Sequence, residues 1–209
     1  IMMNEKAVAE NLALIEEEDF TDTIKFEFFH SRPDMKLTTG RGVSGLAMPH
    51  QNAMYSLLNL SETSPIQHEM MHIILAKNWR SPYRSTIWMN EGIATYSGKI
   101  CGKDNFAEVY YYMLQNGHLE PMENLTGDFY ATDEVVGYTQ GAYIAKYLSD
   151  TYGWGKVKSL WMGGFSQFEN VFGKPYSEVE IEMHKALAQQ FTNGVELDWE
   201  QFQKGCPSY

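Results

Sequence analysis

His68-Glu69-Met70-Met71-His72 sets two imidazoles four residues apart with a carboxylate directly after the first, and Glu91 follows His72 after 18 intervening residues. On a helix, positions i and i+4 share a face, roughly 6 Å apart along the axis. Both rings can then turn a nitrogen toward one ion at about 2.0–2.1 Å, the distance zinc takes from imidazole. Glu69 is rotated about 100° from His68. It therefore flanks the ion, where a base for a metal-activated water is wanted. Catalytic zinc keeps three protein ligands and one open position, so a third ligand must come from elsewhere. Glu91 is the candidate. The competing reading of the five residues is a surface helix whose His and Glu side chains make salt bridges.

The neighbouring sequence supplies elements that could position these groups. Ser64-Pro65-Ile66-Gln67 reads as a helix start, with Ser64 as N-cap, Pro65 at the first helical position and Gln67 completing a capping box. That helix runs through Ile73, Ile74 and Leu75 to about Asn78, and Trp79-Arg80-Ser81-Pro82 breaks it. A second helix begins near Ser85-Thr86, carries Trp88, Met89, Ile93 and Ala94, and stops at Gly98.

Upstream, residues 3–18 have helical spacing and close with the acidic run Glu16 to Asp19, expected to be solvated. Thr23 to Phe29 alternates as a strand with Ile24, Phe26 and Phe28 on the buried side. The segment around Ser31-Arg32-Pro33-Asp34 reads as turn. Val43 to Met48 and Ala53 to Leu58 read as two short strands joined by Pro49-His50-Gln51-Asn52, and Pro49 suits an edge position. Gly45 and Ala47 are small enough to admit another extended backbone, or serve only the packing of the hairpin.

Downstream, Asn105 to Leu114, Glu134 to Tyr152, Trp154 to Met162, Phe168 to Phe172 and Ser177 to Gln190 are helical. Gly153, Gly163-Gly164 and Gly173 are their stops. His118 to Asp133 is rich in loop formers, and the tail from Asn193 carries no assignment. Strands and mixed elements come first and helices after, which predicts an α+β fold. The 209 residues form a single domain, with residues 1–99 holding the sheet and the two motif helices and 100–209 a helical subdomain.

A hydrophobic fraction of 44% supports a packed core. A net charge of −11 without clustered Lys and Arg argues against nucleic acid. No apolar run reaches the length of a membrane span. The opening Ile1-Met2-Met3-Asn4 lacks the basic and apolar regions of a leader, which fits a cytosolic protein or one whose leader was removed; the second is slightly favoured. Cys101 and Cys206 form one bridge or stay two thiols. Asn59-Leu60-Ser61 and Asn124-Leu125-Thr126 are glycosylation sequons that decide little.

The HExxH pattern, its 18-residue spacing and the following Asn90-Glu91-Gly92-Ile93-Ala94-Thr95-Tyr96 together resemble the gluzincin zinc metallopeptidases, the thermolysin-like and aminopeptidase-like branch of the zincins. The resemblance covers roughly residues 43–152. It implies a zincin-like fold, one catalytic Zn2+ held by His68, His72 and Glu91, and Glu69 as general base. It also implies that Gly45-Leu46-Ala47 is the sheet edge along which a peptide substrate lies. A tyrosine or histidine of the helical half would stabilise the oxyanion. Tyr138, within Gly137-Tyr138-Thr139-Gln140-Gly141, is the candidate, with Tyr130, Tyr143 and His118 as rivals.

There are departures. Leu75 and Asn78 stand where the metzincin branch needs Gly and His. Zinc sites expect a carboxylate that orients a histidine, yet the fourth residue after Glu91 is Thr95. Pro121-Met122-Glu123-Asn124 has a superficial likeness to the motif by which aminopeptidases grip a free amine, but it follows the zinc helices and lies in a loop. An endopeptidase is accordingly favoured over an aminopeptidase. The alternatives are a peptide- or protein-binding module that keeps the fold without catalysis, or the catalytic core of a larger protein.

Overall fold

The structure, a computed structural model, describes residues 2–58, 65–99 and 105–204. They are predominantly helical with one small mixed sheet, an α+β arrangement. Their contacts divide them into two compact units, one up to Ser81 and the other from Pro82 onward. No described helix is long and apolar enough to cross a membrane. The Ser64 cap, the Asn59 sequon and the pairing of Cys101 with Cys206 lie outside the described residues.

The first unit is built on strands β1 (Lys25–Phe29), β2 (Gly45–Met48) and β3 (Ala53–Leu57), in the order β1-β3-β2. β1 runs parallel to β3, and β2 antiparallel to it with Gly45 opposite Ser56 and Ala47 opposite Met54. β2 is thus an edge strand, reached from β3 through the short 3-10 turn Pro49–Gln51 and Asn52 in the left-handed conformation. Every residue of β3 is buried, as a strand covered on both faces must be.

On one face, Ala53, Tyr55 and Leu57 pack with Phe29, Met35, Leu46 and Met48. Met35 comes from helix α2 (Arg32–Thr39), which replaces the expected turn. Ser31 caps it by accepting from the Asp34 amide at 3.2 Å, and Gly40 in the left-handed region ends it. The burial of β1 also corrects the expected face. Phe29 is in the core, whereas Phe28 is 47% exposed and Ile24 and Phe26 line an open apolar groove of about 450 Å³ with Val8, Leu12 and Met70.

Helices α1 (Met2–Leu14) and α3 (Ile66–Ile74) pack together in this unit. The fully buried Asn11 donates its side-chain amide to the Gln67 carbonyl at 2.9 Å. Pro65 precedes α3 instead of opening it, its carbonyl accepting the first helical bond from the Glu69 amide at 2.9 Å. A π-helical turn, Leu75–Trp79, closes α3. Trp79 donates its indole N–H to Glu17 at 2.8 Å, and Asn78 donates to the Asp19 carbonyl at 3.0 Å. The acidic run is therefore not simply a solvated end; two of its residues fasten the turn after α3.

The second unit contains α4 (Ile87–Gly98), α5 (Phe106–Asn116), α6 (Met122–Gly127), α7 (Glu134–Tyr152), α8 (Trp154–Gly163), α9 (Phe168–Phe172), α10 (Tyr176–Gln190) and α11 (Trp199–Gln203). Helix α6 and the 3-10 turn Phe129–Ala131 occupy the stretch expected as loop. Asp133 caps α7, accepting from the Val136 amide at 3.0 Å. The core of this unit is the pairing of α4 with α7. A Cβ at Gly92 would collide with the carbonyl of Gly141, and one at Gly141 would come to 2.7 Å from the Trp88 carbonyl oxygen. The two helix backbones touch there, which only residues without side chains permit.

Candidate metal and catalytic centre

In the first unit, α3 carries His68, Glu69 and His72, and its far face buries Met70, Met71, Ile73 and Ile74. The apolar face fixes the rotation of the helix and leaves both imidazoles half-buried. Their Nε2 atoms converge to 3.1 Å, with the rings at 83° to each other. Two donors held about 2.0–2.1 Å from one tetrahedral ion stand roughly 3.3 Å apart. The imidazole pair therefore fits a zinc-sized cation with an adjustment of a few tenths of an ångström.

Glu69 turns the other way, toward the edge strand. The Ala47 amide donates to its Oε2 at 2.7 Å. Gly45 lies beneath it, because a Cβ there would collide with Pro65 Cγ and stand 2.8 Å from Glu69 Cγ and Oε1. The smallness of Gly45 thus serves the approach of α3 of the same chain. Leu46 points the opposite way, against the core cluster under α2.

In the second unit, Glu91 is 6% exposed on α4. The Tyr130 hydroxyl donates to its Oε1 at 2.9 Å, although Tyr130 itself is 65% exposed. Tyr130 comes from the 3-10 turn before α7, and Gly137 makes room for that turn: a Cβ there would lie 2.7 Å from Thr132 Oγ1 and 3.2 Å from the Phe129 ring. The two glycines of the Gly137 to Gly141 motif thus have separate tasks. One admits the Tyr130 turn and the other admits α4.

Tyr138 packs its ring on Phe129, centroids 5.4 Å apart. Of the rivals, Tyr143 is packed against Tyr110 at 4.6 Å, and burial pushes its hydroxyl well above the ordinary range. His118 stacks on Trp199 at 4.7 Å with the rings nearly parallel. Tyr130 thus meets a motif carboxylate. The sequence gives it no distinguishing signal beyond its place just before the Asp133 cap. Pro121 to Asn124 opens α6, where Asn124 donates to Glu120 at 2.8 Å. Thr95 Oγ1 is buried without a hydrogen-bond partner among the described residues.

A separate buried cluster joins α5 to α10. Burial holds Tyr110 well above its ordinary pKa, so its hydroxyl is protonated, and it meets His184 Nε2 at 3.0 Å. Burial lowers His184, against the opposing charge of Glu180, which favours the neutral ring beside the phenol.

No protein-family model matches the chain, and no curated protein or solved structure matches it either.

Proposed function

We propose that this chain is a zinc-dependent peptidase of gluzincin type, with a zincin-like fold, in which His68, His72 and Glu91 together hold one zinc ion. The observation that carries the reading is the convergence of the two Nε2 atoms at 3.1 Å beside a carboxylate that is held but not shared with either ring. A salt-bridged surface helix gives no reason for two imidazoles to aim their nitrogens at one point. Glu91 fits the third ligand position by its chemistry, a buried carboxylate already oriented by a hydroxyl.

Bound zinc supplies Lewis-acid chemistry, activating a water and polarising a carbonyl. The chain's own residues do the rest. Glu69 has Oε2 on the Ala47 amide, which leaves Oε1 to accept a proton and to return it to the leaving amine. Gly45, Leu46 and Ala47 give an extended peptide an edge to pair with. Tyr138 is assigned to the oxyanion by the resemblance, and Tyr130 to the orientation of Glu91 by its hydrogen bond.

Metal analysis and peptide hydrolysis of the wild type and Glu69→Gln test this. The expected result is one zinc per chain in both proteins and a loss of turnover of about 10²–10⁴-fold in the variant. Absence of stoichiometric metal, or full activity in Glu69→Gln, overturns it. Stoichiometric zinc without hydrolysis of a peptide library would instead favour the binding-module reading.

A further inference from the structure

The antiparallel register of β2 on β3 decides which backbone groups of the edge strand are used inward. The Leu57 amide donates to the Ser44 carbonyl at 3.0 Å, so Ser44 faces β3. By the alternation of the ladder, Leu46 and Met48 do the same, while the amides and carbonyls of Gly45 and Ala47 face outward. Four groups of this edge then face away from β3. One of them, the Ala47 amide, is occupied by Glu69 Oε2 at 2.7 Å. That contact exists because Gly45 offers no side chain to keep Pro65 and Glu69 away.

We infer that β2 is the positioning element of Glu69: the Ala47 amide fixes the carboxylate, Gly45 permits it, and an extended ligand on this edge pairs through Gly45 and the Ala47 carbonyl only. The assignment of a base to Glu69 rests on the proposed peptidase reading; the clamp itself does not. An acidic oxygen bound to an amide is fixed in direction, and one oxygen rather than two is then presented for proton transfer. The clamp also sets the ligand's register, since a strand shifted to use the Ala47 amide would have to displace Glu69. Gly45 and Ala47 act here through Glu69 and not on the reacting atoms.

Two measurements test this, and the first does so independently of the peptidase reading. The first is hydrogen exchange at the Ala47 amide in metal-free protein. Exchange is expected to be slow in the wild type and roughly tenfold faster or more in Glu69→Ala, a charged hydrogen bond being lost. The Leu46 and Met48 amides, paired to β3, serve as internal controls and should not change. Equal Ala47 exchange in the two proteins overturns the clamp, whatever the metal does.

The second is Ala47→Pro, which deletes a donor that β3 does not use, at an edge position that tolerates proline. Turnover is expected to fall roughly tenfold or more with zinc content and KM kept. Unchanged turnover, or loss of zinc in place of turnover, overturns the positioning role. If Ala47→Pro fails to fold, the exchange measurement on Glu69→Ala decides the clamp alone. A wild type that neither binds zinc nor cleaves peptides sinks the peptidase reading, and the exchange result still decides the clamp.

Discussion

Glu69 and Glu91 are carboxylates of the same motif, yet their units hold them differently. Glu69 sits on a helix packed against a sheet, and a main-chain amide of the edge strand fixes it. Glu91 sits on a helix packed backbone-to-backbone on another helix, and a phenol from an exposed turn fixes it. A main-chain donor cannot be lost by ordinary substitution; a phenol can. In the proposed peptidase, the first arrangement suits a group whose direction must not vary while a proton moves. The second gives Glu91 a hydrogen bond from a side chain that substitution can remove.

Tyr130 and Tyr138 offer the sharpest way to break this contrast. Tyr138→Phe is expected to lower turnover on the order of 10²–10³-fold with zinc affinity unchanged, as removal of an oxyanion donor does. Tyr130→Phe is expected to weaken zinc binding roughly 10–100-fold, as loss of a group that orients a ligand does. Competition with a chelator and steady-state kinetics on both variants separate the roles. If the effects are exchanged, Tyr130 is the oxyanion group and Glu91 does not depend on it.

The backbone crossing beneath Glu91 should respond next. Gly141→Ala places a methyl 2.7 Å from the Trp88 carbonyl oxygen. Overpacking of this kind costs about 1–3 kcal/mol, readable as a lower urea midpoint, and zinc affinity should fall with it because α4 must move. A variant of native stability would mean that the helices yield freely there.

The smallest effect concerns pH. Burial holds His184 below its ordinary 6.5. Between the lowered folded value and 6.5 the unfolded chain binds the extra proton, so stability is full above about 6.5 and falls as pH drops through the folded value. Thermal unfolding of His184→Gln should show a flatter dependence over that window. An unchanged slope would assign the acid sensitivity to other groups.

Much of the first unit was legible because its signals are local. Proline in the connection and the strand order made β2 an edge, as expected. The eight-residue α2 was hidden because Ser, Pro and Asp start both turns and short helices. The alternation read in β1 does not match its burial, which puts Phe29 in the core and leaves Phe28 exposed, since a period of two does not say which face another element covers. Glu17 read as solvated because the indole it accepts from is 62 positions away.

The sequence by itself determined the spacing that brings His68 and His72 to one face, because 3.6 residues per turn is a property of the backbone. It also determined where α7, α8 and α9 stop, since Gly153, Gly164 and Gly173 take positive φ that other residues resist. Only the tertiary structure decided that Gly45 yields its space to Pro65 and Glu69, that Gly92 needs Gly141, and that Tyr130 meets Glu91. The Ala47–Glu69 and Tyr130–Glu91 contacts join residues 22 and 39 positions apart. Partners at such separations are chosen by packing of whole elements, which no local rule of the chain encodes.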